Sequence, residues 1–320
     1  MLQDQIASDE GSLDYFVLDV FTDTRLQGNA LAVVLNPGSL STETMQAIAR
    51  ETNLSETTFI ERRDAEIERR EGVRVRIFTA QEELPFAGHP TLGTASLLRA
   101  IAPECVHNAT VTLALNVGPV PVRFEPQAHD WPVQGTMTQR DPEFGEELDA
   151  AEVAALTGLA IEDFDPARPI QIVSTGTPFA IVPLRSAESL ARLRVRQDEA
   201  TAFLRARGAR WFYVLGPEDA AAEMPAWRAR MQFNGGEDPA TGSAAGCAIS
   251  YLVRHGAVAS GQTIHVRQGV EIARPSDLFL SARIKESFDL SAQIPSRGEV
   301  ADVRVGGSTI LVAKGRLFLP

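Results

Sequence analysis

The chain has 320 residues, 44% of them hydrophobic and 22% charged, which fits a globular protein of two ordinary domains. Its formal net charge of -12 argues against a nucleic-acid partner, yet leaves room for a locally positive site that holds a small anion. Two cysteines, Cys105 and Cys247, supply neither a disulfide framework nor a metal-ligand spacing, and no apolar run reaches the ~18 residues a membrane span requires. Nothing here calls for a membrane, and a reduced, cytoplasmic setting is the simplest expectation.

Residues 1–12 are polar and acidic and read as a disordered leader, not a secretory signal. Strands are predicted at Tyr15–Phe21, Ala30–Leu35, Glu56–Glu61 and Val73–Phe78, with a turn at Leu26–Asn29 and a helix over Ser41–Thr52 capped by Ser41 or Thr42. The charged run Arg62–Gly72 reads as a solvated loop or hairpin tip. A helix begins near Pro90, and strands follow near Thr110–Leu115 and Val120–Phe124. After a link over Pro126–Pro132 the order recurs. Strands are expected at Ile170–Ser174 and Phe179–Pro183, helical patterns at Ala187–Leu193 and Asp198–Arg207, and strands at Trp211–Leu215 and Arg228–Phe233. A long helix runs from Pro239 to about Arg254, closed by Gly256. Strands at Thr263–Arg267, Leu278–Ile284, Glu299–Val305 and Thr309–Ala313 end the chain. One dominant helix per half among many strands predicts an α+β fold. Two pseudo-symmetric halves are expected, each a curved, mostly antiparallel sheet round a central helix. The first half is placed at 13–127, with the strand near 309–320 available to complete it, and the second at 128–308.

The clearest sign of duplication is a pair of motifs. His89-Pro90-Thr91-Leu92-Gly93-Thr94-Ala95 and Asp238-Pro239-Ala240-Thr241-Gly242-Ser243-Ala244 share one pattern about 149 residues apart, close to half the chain. Each reads as a helix start, a polar cap followed by Pro at the first helical position. Free N–H groups and a partial positive charge make such an end a holder of anions, so two of them facing one cleft would clamp a carboxylate.

Four motifs carry a resemblance. They are Asp19-Val20-Phe21 with Gly28-Asn29; Ser55-Glu56-Thr57-Thr58-Phe59; Leu84-Pro85-Phe86-Ala87-Gly88-His89-Pro90-Thr91; and Gly236-Glu237-Asp238-Pro239-Ala240-Thr241-Gly242-Ser243. Together they resemble the PhzF-like isomerases, over about Asp14 to Leu319. The resemblance implies a diaminopimelate epimerase-like fold with the active site between the halves, cofactor-free chemistry and a homodimer. It implies that Glu56 is the general acid/base. His89 and Asp238 match the polar residues at the paired helix starts, places held by catalytic cysteines in epimerases of this fold. Gly88, Thr241, Gly242 and Ser243 match positions that contact the substrate, and Asn29 joins them as a binding residue. The chain departs from the family pattern at Ala80, where Pro often follows Phe-Thr, and in a shorter segment Asn234–Glu237.

The residues themselves support proton-transfer chemistry. Glu56 leads into an apolar strand with no Lys or Arg close by in sequence, so burial would raise its basicity. Aligning Thr58-Phe59 with Phe212-Tyr213 puts the second-half partner of Glu56 near Arg210. One carboxylate suits removal and return of a proton on one face, hence an isomerase acting on a small carboxylate. An epimerase or dehydratase using His89 with Asp238 is the alternative, and a non-catalytic carboxylate-binding protein is another. Each residue also has a plainer role: Asp238 as a helix cap worth ~1 kcal/mol, His89 as a surface histidine, Glu56 as a solvated edge carboxylate. Ser243 and Thr94 serve equally as small packing residues, and Gly28 and Gly176 as turn formers. Cys247 lies in an apolar run and reads as core. The other histidines, His107, His129, His255 and His265, show no ligand spacing, so no metal is expected.

Overall fold

The computed structural model describes residues 12–38, 40–126, 131–219, 223–289 and 294–319. The predicted leader, apart from Ser12 at the start of the first strand, and most of the predicted link lie outside them. In chain order the first half holds β1 (Ser12–Val20), β2 (Asn29–Leu35), α1 (Thr42–Thr52), β3 (Glu56–Glu61), α2 (Ala65–Glu71), β4 (Val73–Phe78), β5 (Glu83–Leu84), α3 (Gly88–Ile101), β6 (Thr110–Leu115), β7 (Gly118–Phe124) and β8 (Val133–Thr138). There follow β9 (Glu143–Leu148), α4 (Ala150–Thr157), β10 (Ile170–Ser174), β11 (Pro178–Pro183), α5 (Gln197–Arg205), β12 (Trp211–Asp219) and β13 (Ala226–Arg230). The chain continues through the hairpin β14 (Gln232–Phe233) and β15 (Gly236–Glu237), then α6 (Gly242–Arg254), β16 (Ile264–Gln268), β17 (Ser276–Asp289) and β18 (Ile294–Phe318).

Strand pairing repeats from one half to the other. In the first, β1 and β2 are antiparallel, β2 and β3 parallel, β3 and β4 antiparallel, β4 and β6 parallel, then β6, β7 and β8 antiparallel. The run β10, β11, β12, β13, β16, β17, β18 repeats that alternation step for step. The long β18 joins the two. Its first part pairs with β17, its middle with β8, and its end with β1 from Ser12↔Phe318 to Val20↔Thr309. The predicted strands at Glu299–Val305 and Thr309–Ala313 are thus one continuous strand. β8, beyond the expected boundary at 127/128, pairs with β7 and lies against α3.

Each curved sheet encloses one helix. In α3, Gly88 to Leu98 are all buried, and α6 is buried over Ala244–Val253. Both are rich in Gly, Ala, Ser and Thr because the walls come very close. A Cβ at Gly93 would stand 2.6 Å from Leu31 Cδ2 and 2.7 Å from Val20 Cγ2, and Gly246 lies against the side chain of Gln139. Methyl-sized packing on every side explains why neither helix shows the usual polar stripe.

Three expectations need correction. The run Arg62–Gly72 is not a solvated loop: Asp64 caps α2, and Glu68 turns inward to accept from Arg62 Nε and the Arg63 N–H. A buried partner for the arginines gives this charged stretch an inner face. The two motifs also do not share a conformation. His89-Pro90 lies inside the first turn of α3, whose N-cap is Ala87, whereas Asp238-Pro239 precedes α6, whose N-cap is Thr241. Neither His89 nor Asp238 is a cap. Lastly, Glu56 and Trp211 each open the strand that runs parallel to its predecessor, in registers Leu31↔Glu56 and Phe179↔Trp211. Trp211, not Arg210, therefore holds the place of Glu56 in the second half.

The halves meet at Gly88 and Gly242. A Cβ on Gly88 would fall 2.8 Å from both Gly242 Cα and the Ser243 nitrogen. Gly88→Ala should therefore cost about 1–3 kcal/mol in a denaturant titration through overpacking and abolish activity by parting the helix starts. Gly315→Ala, with open space at its Cβ, should leave both unchanged.

Candidate active site

The first residues of β2 and β3 and the first turn of α3 bring Asn29, Glu56 and His89 to one end of the first sheet. Hydroxyl contacts fix the strand that carries Glu56. Thr58 and Thr94 meet at 2.9 Å, joining β3 to α3, and Thr57 meets Thr52 at 2.7 Å. The Ser55–Phe59 motif is thus a carboxyl with its scaffold built in. From the second half comes Asp238. Asn29 Nδ2 donates to Asp238 Oδ1 at 2.7 Å and to the Ala240 carbonyl at 2.9 Å, and lies 3.2 Å from His89 Nδ1. The Asn29 amide therefore stitches the two halves together at the point where His89 and Asp238 converge.

His89 Nε2 faces Glu56 Oε2 at 3.3 Å. Both atoms are buried and neither has a hydrogen-bond partner, a costly state unless a further molecule supplies one. Electrostatics sharpen the arrangement. Burial, helped by the negative Asp238, pushes the Glu56 carboxyl up to about 8. Burial pushes His89 down to about 3 against the contrary pull of a hydrogen bond with the Ala30 backbone, so its ring is neutral. Asp238 is raised to about 6 by burial, with the Thr241, Asn29 and Ala240 hydrogen bonds opposing. At neutral pH the site holds a protonated Glu56, a neutral imidazole and a largely ionised Asp238. A carboxyl poised near the working pH beside a neutral ring is suited to moving a proton.

The sequence-predicted binding residues differ in how they are engaged within the protein. Gly88, Gly242 and Ser243 stand where the helix starts touch. Thr241 is engaged within the protein: its hydroxyl donates to Asp238 Oδ2 at 2.6 Å, and its N–H donates to Gln268 Oε1 at 3.1 Å. Thr241 therefore fixes Asp238. The sequence reading missed Gln268, fully buried, whose Nε2 donates to the Asp238 carbonyl at 2.8 Å and to Thr241 Oγ1 at 2.9 Å. It also missed Gln139, which ties the Gly242 carbonyl to Thr175. A lone Gln at a strand end carries no signature in one sequence. Cys247 is buried, contacts Thr175 and the Thr177 carbonyl, and is raised to about 11 by burial, which suits core and not nucleophile. Beside the helix starts, a cavity lies between Phe86, Val120, Gln139, Arg140 and Thr175. Across the halves Arg210 faces Glu82 at 3.6 Å. Among the described residues, no cluster of His, Cys, Asp and Glu is arranged to hold a metal, and no helix is long and apolar enough to cross a membrane.

Residues 18–315 match the family described as phenazine biosynthesis-like protein (PhzC-PhzF). The trans-2,3-dihydro-3-hydroxyanthranilate isomerase of Pseudomonas aeruginosa is 36% identical over 309 residues, 95% of this chain and 99% of that one. A solved structure of a predicted epimerase from Pseudomonas aeruginosa superposes with a TM-score of 0.78 at 33% identity, covering 96% of this chain and 100% of its own. A hydroxyproline epimerase from Agrobacterium vitis, 11% identical with a TM-score of 0.61 over 97% of this chain and 93% of its own, shares the fold alone.

The raised Glu56 carboxyl has a consequence for stability. The folded protein binds its proton more tightly than the unfolded chain, so stability is lost as pH rises from the unfolded value of 4.5 to about 8. Glu56→Gln should lift the unfolding temperature above that of the wild type at pH 8.5, with the gap narrowing as pH falls toward 4.5. Scanning calorimetry across that range checks the sign.

Proposed function

We propose a mechanism from the premise that the chain belongs to the phenazine biosynthesis-like family and is an isomerase of that family. It shifts a double bond in a small unsaturated carboxylate by moving one proton between two carbons, without a cofactor. The observation that carries this reading is the buried Glu56 carboxyl facing His89 at 3.3 Å with no hydrogen bond between them. In its ionised form Glu56 takes a proton from a substrate carbon. The electron pair of the broken C–H bond moves into the adjoining unsaturated system, whose negative charge is stabilised by the N-terminal ends of α3 and α6. Glu56 then returns the proton to a second carbon of the same molecule. Nothing enters or leaves, so the reaction balances as an isomerisation. His89, neutral, and Asp238, tied to Asn29, supply hydrogen-bonding contacts to the polar substituents.

The asymmetry of the halves favours this over stereochemical inversion. Trp211 occupies the second-half place of Glu56, so the duplicated fold offers no matching carboxyl for the opposite face. Ring-bearing carboxylates are the substrate class. The compound named for the Pseudomonas aeruginosa relative, trans-2,3-dihydro-3-hydroxyanthranilate, is the first to test.

NMR of that compound with the wild type should show the double bond shift, and deuterium at the migrating position should reappear in part at the new one. Glu56→Gln should slow conversion by about 100-fold or more, the scale of lost acid/base catalysis, while still binding. Full activity in that variant would contradict the assignment. Since the ionised carboxyl begins the reaction, kcat/KM should rise with pH and level off above about 8.

A further inference from the structure

We propose that one loop of the second half, Gln268 to Arg274, sets the position of two polar groups of the site, with Gln268 holding the backbone at Asp238 and Arg274 holding the turn that leads into Asn29. The inference rests on the assignment of Asn29 and Asp238 to the reaction above. Gln268, at the end of β16, grips the Asp238 carbonyl and the Thr241 hydroxyl. Gly269 then turns the chain with φ +75°, so close to the Asp238-Pro239 segment that a Cβ there would overlap the carbonyl oxygens of Arg274 and Pro239.

Six residues on from Gln268, Arg274 reaches into the first half. Its Nε donates to the Gly28 carbonyl at 2.9 Å, and its Nη2 donates to the Gln27 carbonyl at 2.8 Å and to Asp19 Oδ1 at 2.7 Å. Asp19 is 2% exposed, and its other oxygen accepts from the Leu26 N–H at 2.6 Å. The Gly28 N–H donates to the Pro275 carbonyl at 3.0 Å. Every residue from Leu26 to Gly28 is therefore held, and Asn29 follows directly. A planar guanidinium with several fixed donors suits three acceptors at once, which a lysine ammonium on a flexible stem does less well.

The clamp exceeds what the fold needs. The equivalent turn of the second half, Thr175-Gly176, sits before β11 as Gln27-Gly28 sits before β2. Gly176 has open space where its Cβ would be, whereas at Gly28 a Cβ would overlap the Val20 carbonyl. The fold tolerates the open version. The closed version occurs in the half whose strand begins with Asn29. One loop thus controls both ends of the 2.7 Å Asn29–Asp238 contact, and a misplacement of about 1 Å at either end would cost about 100-fold in rate.

The test compares Arg274→Ala, Arg274→Lys and a control, Arg267→Ala, whose side chain lies on β16 just before the loop and is about half exposed beside Asp277. With trans-2,3-dihydro-3-hydroxyanthranilate, Arg274→Ala should lower kcat by about 10- to 100-fold with KM within about threefold. Added guanidinium should restore part of it. Arg274→Lys, which keeps a positive charge beside Asp19, should fold like the wild type and still lose kcat. A second readout needs no substrate: exchange of the Asn29 side-chain amide protons with water, followed by NMR. It should be slow in the wild type and in Arg267→Ala and faster in both Arg274 variants. If the wild type turns nothing over, the proposed function fails while amide exchange still decides the role of the loop. Wild-type amide protection in Arg274→Lys, or Arg274 variants whose kcat matches Arg267→Ala, would overturn the inference.

Discussion

Gly88 and Gly242 meet backbone to backbone where two buried helices begin, and the geometry of the site follows from that contact. Any side chain at Gly88 would drive the helix starts apart. Because the two ends touch, their unpaired N–H groups and partial positive charges lie side by side instead of on opposite walls of a wide cleft. The duplicated sheets exist, in this view, to bring these two ends together. Small residues throughout α3 and α6 let the sheets close tightly, and β18, which pairs with β17, β8 and β1, keeps the halves in register.

Tight closure also sets the electrostatics of the candidate site. Burial raises Glu56 and Asp238 and lowers His89, each toward its uncharged form. Asp238 retains its charge more readily than Glu56 because Thr241, Asn29 and the Ala240 backbone donate to it, whereas the Glu56 Oε2 atom has no donor. Two carboxyls in one buried site are thus pushed to different protonation states by their hydrogen bonds. That separation is what the proposed reaction requires, with Glu56 as the proposed proton carrier and Asp238 as a fixed charge beside it.

Much of the fold was legible in the sequence because it rests on local signals. Alternating strands such as Val73–Phe78, the Ser41 cap of α1 and the all-apolar run of α6 each declare themselves within a few residues. The candidate site residues Glu56, His89 and Asp238 stood out through motif pattern. Their conformations did not. The two Pro-containing motifs look alike yet one lies inside a helix and the other four residues ahead of one, since tertiary contacts to Gln268 hold the second in a turn. The inward turn of Glu68 was likewise hidden in a charged run, because only the fold reveals the arginines it meets. Gln268 and Arg274 act across distances of tens to hundreds of residues and leave no spacing to read.

The central claim is that burial raises the Glu56 carboxyl far above the ordinary glutamate range, so that its ionised form is a strong enough base to act as the proton carrier. Carbon-13 NMR of glutamate-labelled protein, with the Glu56 signal assigned through Glu56→Gln, measures it directly. A side-chain carboxyl titrating near 8 is the expected result. A Glu56 signal that titrates near the ordinary value of 4.5 would contradict the account, because the carboxyl would then be an ordinary solvated anion and its basicity unremarkable.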